Sequence, residues 1–109
     1  MSTVLWLDDI REPWKHGYAA STWVKTADEA IAALKTGAFT FASLDHDLSV
    51  EATMGTPASD ERTGYTVILF LEEYPEYWPV DGVRVHSLNP SGKQKMLAAI
   101  ERHYGRIFP

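Results

Sequence analysis

The chain has 109 residues, a net charge of -5 and 45% apolar residues, with four Trp and five Tyr. That length suits a single domain over residues 1–109, the apolar content excludes a disordered chain, and the acidic balance excludes broad capture of duplex DNA, which needs a basic face. The absence of Cys excludes disulfides and thiolate metal sites and fits a cytoplasmic protein, and with no signal-peptide pattern or bilayer-length apolar run, no membrane role is expected.

The first predicted element is a strand over residues 3–7, "TVLWL", whose unbroken apolar character suits burial on both faces. It stops at Asp8 and Asp9. "IREPWKHGY" carries Pro13 and Gly17 and reads as a loop or one broken helical turn. Residues 21–25, "STWVK", form a short second strand. "TADEAIAALKTG" is the clearest helix: Thr26 caps it, Glu29 completes a capping box, Ala30, Ile31 and Leu34 give an apolar stripe, and Gly37 ends it. A third strand over residues 39–44 ends at Asp45.

Residues 49–64 are long, polar and broken by Gly55 and Pro57, the character of a functional loop closing over a ligand. "GYTVILFLEEY" places Val67, Ile68, Leu71 and Tyr74 at helical spacing, and Pro75 and Pro79 close that helix. A fourth strand covers residues 82–87. In the last helix Asn89 serves as cap, Pro90 fits the first turn, and Met96, Ile100 and Tyr104 form the inner stripe. Strands alternating with helices predict an α/β fold: a mostly parallel sheet of about four strands, helices on both faces, and a shortened first helix.

In such sheets ligands bind beyond the carboxyl ends of the strands. Strand one ends at Asp8, Asp9 and Arg11; strand three at Asp45, His46 and Asp47; strand four at His86, Ser87 and Asn89. A parallel sheet brings these clusters to one rim. Packed carboxylates need a compensating cation, and an oxygen-rich set suits Mg²⁺, Mn²⁺ or Ca²⁺, whereas His with Asp also suits a softer metal. Histidines titrate near working pH and can move protons. Arg11 offers a fork for phosphate oxygens, Lys93 lies within reach of them, and the amides opening the last helix offer a positive end.

Each group also has a plainer reading. Asp8 and Asp9 can close a turn, Asp45 to Asp47 can be a solvated turn, and His86 a hydrogen-bonded core histidine. Asn89 can be only an N-cap, Ser87 only a helix-leading hydroxyl, and Lys93 part of a solvated helix face. The coincidence of three polar clusters on one predicted edge favours a site.

"LWLDDIREP", "SLDHDL", "TGYTVILFLEE" and "VHSLNPSGKQKM" together resemble the cyclic-phosphate processing receiver-like domain, a divergent relative of response-regulator receiver domains. The resemblance runs from Leu5 to about Ile100. It implies a small flavodoxin-like fold and an acidic pocket of Asp8, Asp9 and Asp45 like a receiver's Mg²⁺ site, with Asp45 at the phosphate-accepting position. His46, Asp47, His86, Ser87 and Asn89 match positions that this family adds or keeps. A full receiver has five strand–helix units and a Lys after the fifth strand. Here the last clear strand is the fourth and Lys93 lies inside a helix, which weighs against ordinary phosphorelay signalling.

Two functions follow as expectations. One is a phosphoesterase dependent on Mg²⁺ or Mn²⁺ that opens a cyclic phosphate on an RNA end or in a cyclic nucleotide. Asp8, Asp9, Asp45 and Asp47 would hold the ion; Asp45, His46 and His86 would carry the chemistry; Arg11, Ser87, Asn89 and Lys93 would hold the substrate. The other is a non-catalytic receiver-like module that binds a nucleotide or a partner protein through the same rim, aided by exposed Trp14 and Trp78. A phosphoacceptor at Asp45 is a third, weaker reading.

Overall fold

The computed structural model of the protein describes residues 3–17, 21–45, 63–87 and 90–108. Four strands, β1 (Val4–Leu7), β2 (Thr22–Val24), β3 (Phe41–Leu44) and β4 (Gly82–Val85), make one parallel sheet in the order β2-β1-β3-β4. Three α-helices follow the expected positions: α1 (Ala27–Lys35), α2 (Gly64–Glu73) and α3 (Pro90–Tyr104). A 3-10 turn, Pro13–His16, stands between β1 and β2 where a longer helix would otherwise lie. No helix among the described residues is long and apolar enough to cross a membrane.

Right-handed crossovers fix which face each connection covers. The steps β2 to β3 and β3 to β4 run the same way across the sheet, so α1 and α2 share a face. The step β1 to β2 runs the other way and puts the 3-10 turn on the opposite face. Packing agrees. Leu5, Leu7, Ala42, Leu44, Val83 and Val85 form one core with Ala30 and Leu34 of α1, Val67, Ile68 and Leu71 of α2, and Met96 and Ile100 of α3. The Trp14 indole of the 3-10 turn instead meets Trp23 edge-on, with centroids 5.5 Å apart. Among the described residues the cover on the two faces is therefore unequal: α-helices on one, a single short turn on the other.

Local signals set the boundaries. At α1, Thr26 Oγ1 accepts from the Glu29 amide at 3.1 Å and Glu29 Oε1 accepts from the Thr26 amide at 3.1 Å, the expected capping box. A second box, Thr63 with Thr66, starts α2. Tyr74, expected at helical spacing with Val67, Ile68 and Leu71, is the exposed C-cap just past the end of α2, its ring set against Phe70. Trp78, expected exposed, is buried, with the His103 ring stacked on it at 4.5 Å. After α3 the chain returns to the sheet, where Phe108 makes a single parallel bridge to Arg84 beside β4. Gly82 makes room for that return, since a Cβ there would lie 2.5 Å from the Phe108 ring.

Candidate functional site at the carboxyl rim of the sheet

Strand register builds the site. Leu7, Leu44 and Val85 lie level across β1, β3 and β4. The next residues, Asp8, Asp45 and His86, therefore form one row, held by ladder bonds from the Asp45 amide to the Leu7 carbonyl (2.9 Å) and from the His86 amide to the Leu44 carbonyl (3.0 Å). Side chains two residues apart on a strand share a face. Trp6, Ser43 and Arg84 thus form a second row directly behind, on the face away from the α-helices.

That second row organises the first. Ser43 is small and fully buried between Trp6 and Arg84, which leaves space above it. The His86 imidazole folds into this space and stacks on the Trp6 indole, with centroids 4.0 Å apart and planes within 4°. Its Nδ1 lies 2.8 Å from Ser43 Oγ and its Nε2 lies 3.0 Å from Asp8 Oδ2. An ionised carboxylate only accepts, so Nε2 carries the proton, and in the neutral ring Nδ1 accepts from the Ser43 hydroxyl.

Asp8 is 1% exposed and its carboxylate is fully engaged. Oδ1 accepts from the amides of Ile10 (2.8 Å) and Arg11 (2.9 Å), an Asx turn that shapes the loop after β1. Oδ2 accepts from His86 and from the Arg11 guanidinium at 3.3 Å. The Trp6 indole N–H anchors the same loop by donating to the Arg11 carbonyl at 2.8 Å, and Trp23 donates to the Asp8 carbonyl at 2.6 Å. Arg11 Nη1 also stands 3.7 Å from Asp45 Oδ2 and 3.5 Å from the His86 carbonyl. The guanidinium therefore bridges the ends of three strands.

Burial alone would raise the Asp8 carboxyl, but the bonds from His86 and from the Arg11 and Ile10 amides outweigh it and hold the pKa below the ordinary carboxylate value. For His86, burial pushes the pKa down, the Asp8 bond pulls it up, and the charges of Arg11 and Arg84 push it down again; the net direction is below the usual imidazole value. Both groups bind protons more readily unfolded than folded, so both make stability rise with pH. The His86 contribution is complete above its unfolded value of 6.5 and is lost as pH falls below it; the Asp8 contribution is lost below 3.8. In chelator-treated protein, the urea midpoint should fall between pH 7 and pH 5 and fall again below pH 4. His86→Gln should flatten the first drop and spare the second. An unchanged first drop in that variant would show that another group controls it.

Asp8, Asp9 and Asp45 each bring a carboxylate oxygen within 4.8 Å of the others. This all-oxygen set fits Mg²⁺ or Mn²⁺. All four lone-pair positions of Asp8 already have donors, so Asp8 can ligate an ion directly only where the Arg11 contact yields.

A cavity of about 280 Å³ opens beside this cluster, lined by Arg11, Arg84, His86, Ser87 and Lys93, with Trp6 at its back. Of the site residues predicted from sequence, the structure brings together Asp8, Asp9, Asp45, Arg11 and His86 at the rim, and Ser87 and Lys93 in the adjoining cavity. His46, Asp47, Asn89 and the loop expected to close over the ligand lie outside the described residues. Sequence reasoning passed over Trp6, Ser43 and Arg84. Their signal was available in the period of two: each stands two residues before a rim residue, and Ser43 and Arg84 are polar within otherwise apolar strands.

A four-stranded parallel sheet with carboxylates from β1 and β3 gathered at its carboxyl rim defines a small receiver-like α/β domain. More particularly, the chain belongs to the cyclic-phosphate processing receiver domain family, whose family model matches residues 3–102. No curated protein and no solved structure gives a significant match.

Proposed function

We propose that the protein is a metal-dependent phosphoesterase that opens a cyclic phosphate, on an RNA end or in a cyclic nucleotide. One observation carries this reading: the cluster of Asp8, Asp9 and Asp45 shares Arg11 and His86, which contact its carboxylates, with a cavity also lined by Ser87 and Lys93. Asp9 and Asp45, backed by Asp8, would hold Mg²⁺ or Mn²⁺, and such an ion supplies charge stabilisation at a phosphoryl oxygen and lowers the pKa of bound water. Arg11, Ser87 and Lys93 orient the phosphate oxygens, and Asn89 is assigned the same task from its place ahead of α3. Asp47 adds a further carboxylate and His46 moves the proton. His86 is a positioning residue in this scheme, because Ser43 and Asp8 engage both ring nitrogens. Hydrolysis adds water to phosphorus, breaks one ring P–O ester bond and delivers the proton to the departing oxygen, leaving a phosphomonoester.

The test is a panel of 2′,3′-cyclic and 3′,5′-cyclic phosphates with and without Mg²⁺ or Mn²⁺, followed by phosphorus NMR. Ion-dependent ring opening is expected, reduced at least about 100-fold in Asp45→Asn. Intact ligand recovered from every metal-replete reaction would overturn the hydrolase reading. Tight binding of that intact ligand would favour a nucleotide-binding module instead.

A further inference from the structure

The cavity beside the acidic cluster contains a residue for which the scheme above has no use. Arg84 sits inside β4 between buried Val83 and Val85, its neighbour across the sheet is buried Ser43, and it lines the cavity with Arg11 and Lys93. β4 is the edge strand of the sheet, and Arg84 is half-buried there, within the wall of the cavity. Three cationic side chains from three separate elements converge here: Arg11 from the loop after β1, Arg84 from β4 and Lys93 from α3. Arg11 also has a second engagement. Its guanidinium contacts Asp8 at 3.3 Å and Asp45 at 3.7 Å, while its side chain remains 29% exposed.

We propose that this cavity is a phosphate pocket in which Arg84 is a substrate-binding residue, and that Arg11 is shared between the pocket and the acidic cluster, so that a divalent ion and a phosphate bind with positive linkage. The inference rests on the phosphoesterase reading and adds to it a residue and a coupling. The guanidinium supplies the acidic cluster with a cation of its own. A divalent ion on the same oxygens displaces that charge, and the freed fork has the pocket beside it. A phosphate in the pocket draws the fork off Asp8 and Asp45 and vacates the oxygens the ion needs. Each ligand thereby lowers the cost of binding the other, by the same factor in both directions.

The experiment is calorimetric titration of Mg²⁺ with and without saturating inorganic phosphate, and of phosphate with and without saturating Mg²⁺. Wild-type protein should show each ligand tightening the other at least about fivefold. In Arg11→Gln the Mg²⁺ affinity measured alone should rise about two- to fivefold, because the competing cation is gone, and the linkage factor should fall by more than half. The backbone anchors of this residue on Asp8 and Trp6 do not involve its guanidinium, so the fold should persist; matching thermal midpoints check this. Arg84→Gln should weaken phosphate at least about tenfold and leave Mg²⁺ alone within twofold. Linkage that survives intact in Arg11→Gln, or phosphate affinity unmoved in Arg84→Gln, overturns the inference and leaves the phosphoesterase reading standing. Failure of wild-type protein to bind either probe overturns both.

Discussion

Replacing Gly64 with alanine is expected to cost about 3 kcal/mol, the upper end of what overpacking usually does, and to weaken the ion site as well. Gly64 is the first residue of α2, and a Cβ added there would lie 1.9 Å from the Asp45 carbonyl oxygen, 2.8 Å from its carbon and 3.0 Å from Met96 Cε. The methionine end can swing away; the carbonyl cannot. The Asp45 amide is tied to the Leu7 carbonyl at 2.9 Å, and its side chain is buried at the rim. Either α2 backs off from the sheet, opening the core around Val67 and Ile68, or the Asp45 peptide turns and takes its carboxylate out of line with Asp8 and Asp9. A shift of about 1 Å in a positioned group costs on the order of 100-fold in turnover. Urea unfolding and Mg²⁺ titration read the two effects separately. A variant within 1 kcal/mol of wild type that keeps full ion affinity would mean that α2 does not press on Asp45.

The contrast with Arg11 and Ser43 shows what the sequence could and could not reveal. Asp8, Asp45 and His86 were legible because each follows an apolar run, and a parallel sheet sends all strand ends to one rim. The cap at Thr26 was legible because its partner Glu29 is three residues away. Contacts of long sequence separation were not. Nothing local says that the imidazole of residue 86 will fold over Ser43 onto Asp8, because that depends on the register of β1, β3 and β4 and on how small the middle residue is. The chemistry of Arg11 marks it as a phosphate fork; its ion pairs with Asp8 and Asp45 depend on the Asx turn after β1. Trp78 and His103 pair across 25 positions, so the exposure expected for Trp78 failed for the same reason. The short return at Phe108 was invisible because a single bridge has no periodicity to detect.

Two substitutions at Asp8 should separate its structural role from its electrostatic one. In Asp8→Asn the side-chain oxygen still accepts from the Ile10 and Arg11 amides. The new amide N–H₂ faces His86 Nε2, and the imidazole can adapt by moving its proton to Nδ1 and donating to Ser43 Oγ instead. The Arg11 guanidinium loses a charged acceptor but keeps Asp45 nearby and is partly solvated. The expected loss of stability is therefore only about 1 kcal/mol. In Asp8→Ala the two amides, the imidazole and the guanidinium lose their common acceptor at once, and about 3 kcal/mol should go. Both variants remove a negative charge from the acidic cluster, so both should weaken Mg²⁺ binding about 10- to 100-fold. The informative quantity is the pairing of a large split in stability with a shared loss of ion affinity. If Asp8→Asn binds Mg²⁺ like wild type, the carboxylate serves only the Asx turn and His86, and any ion held at this rim belongs to Asp9 and Asp45 alone.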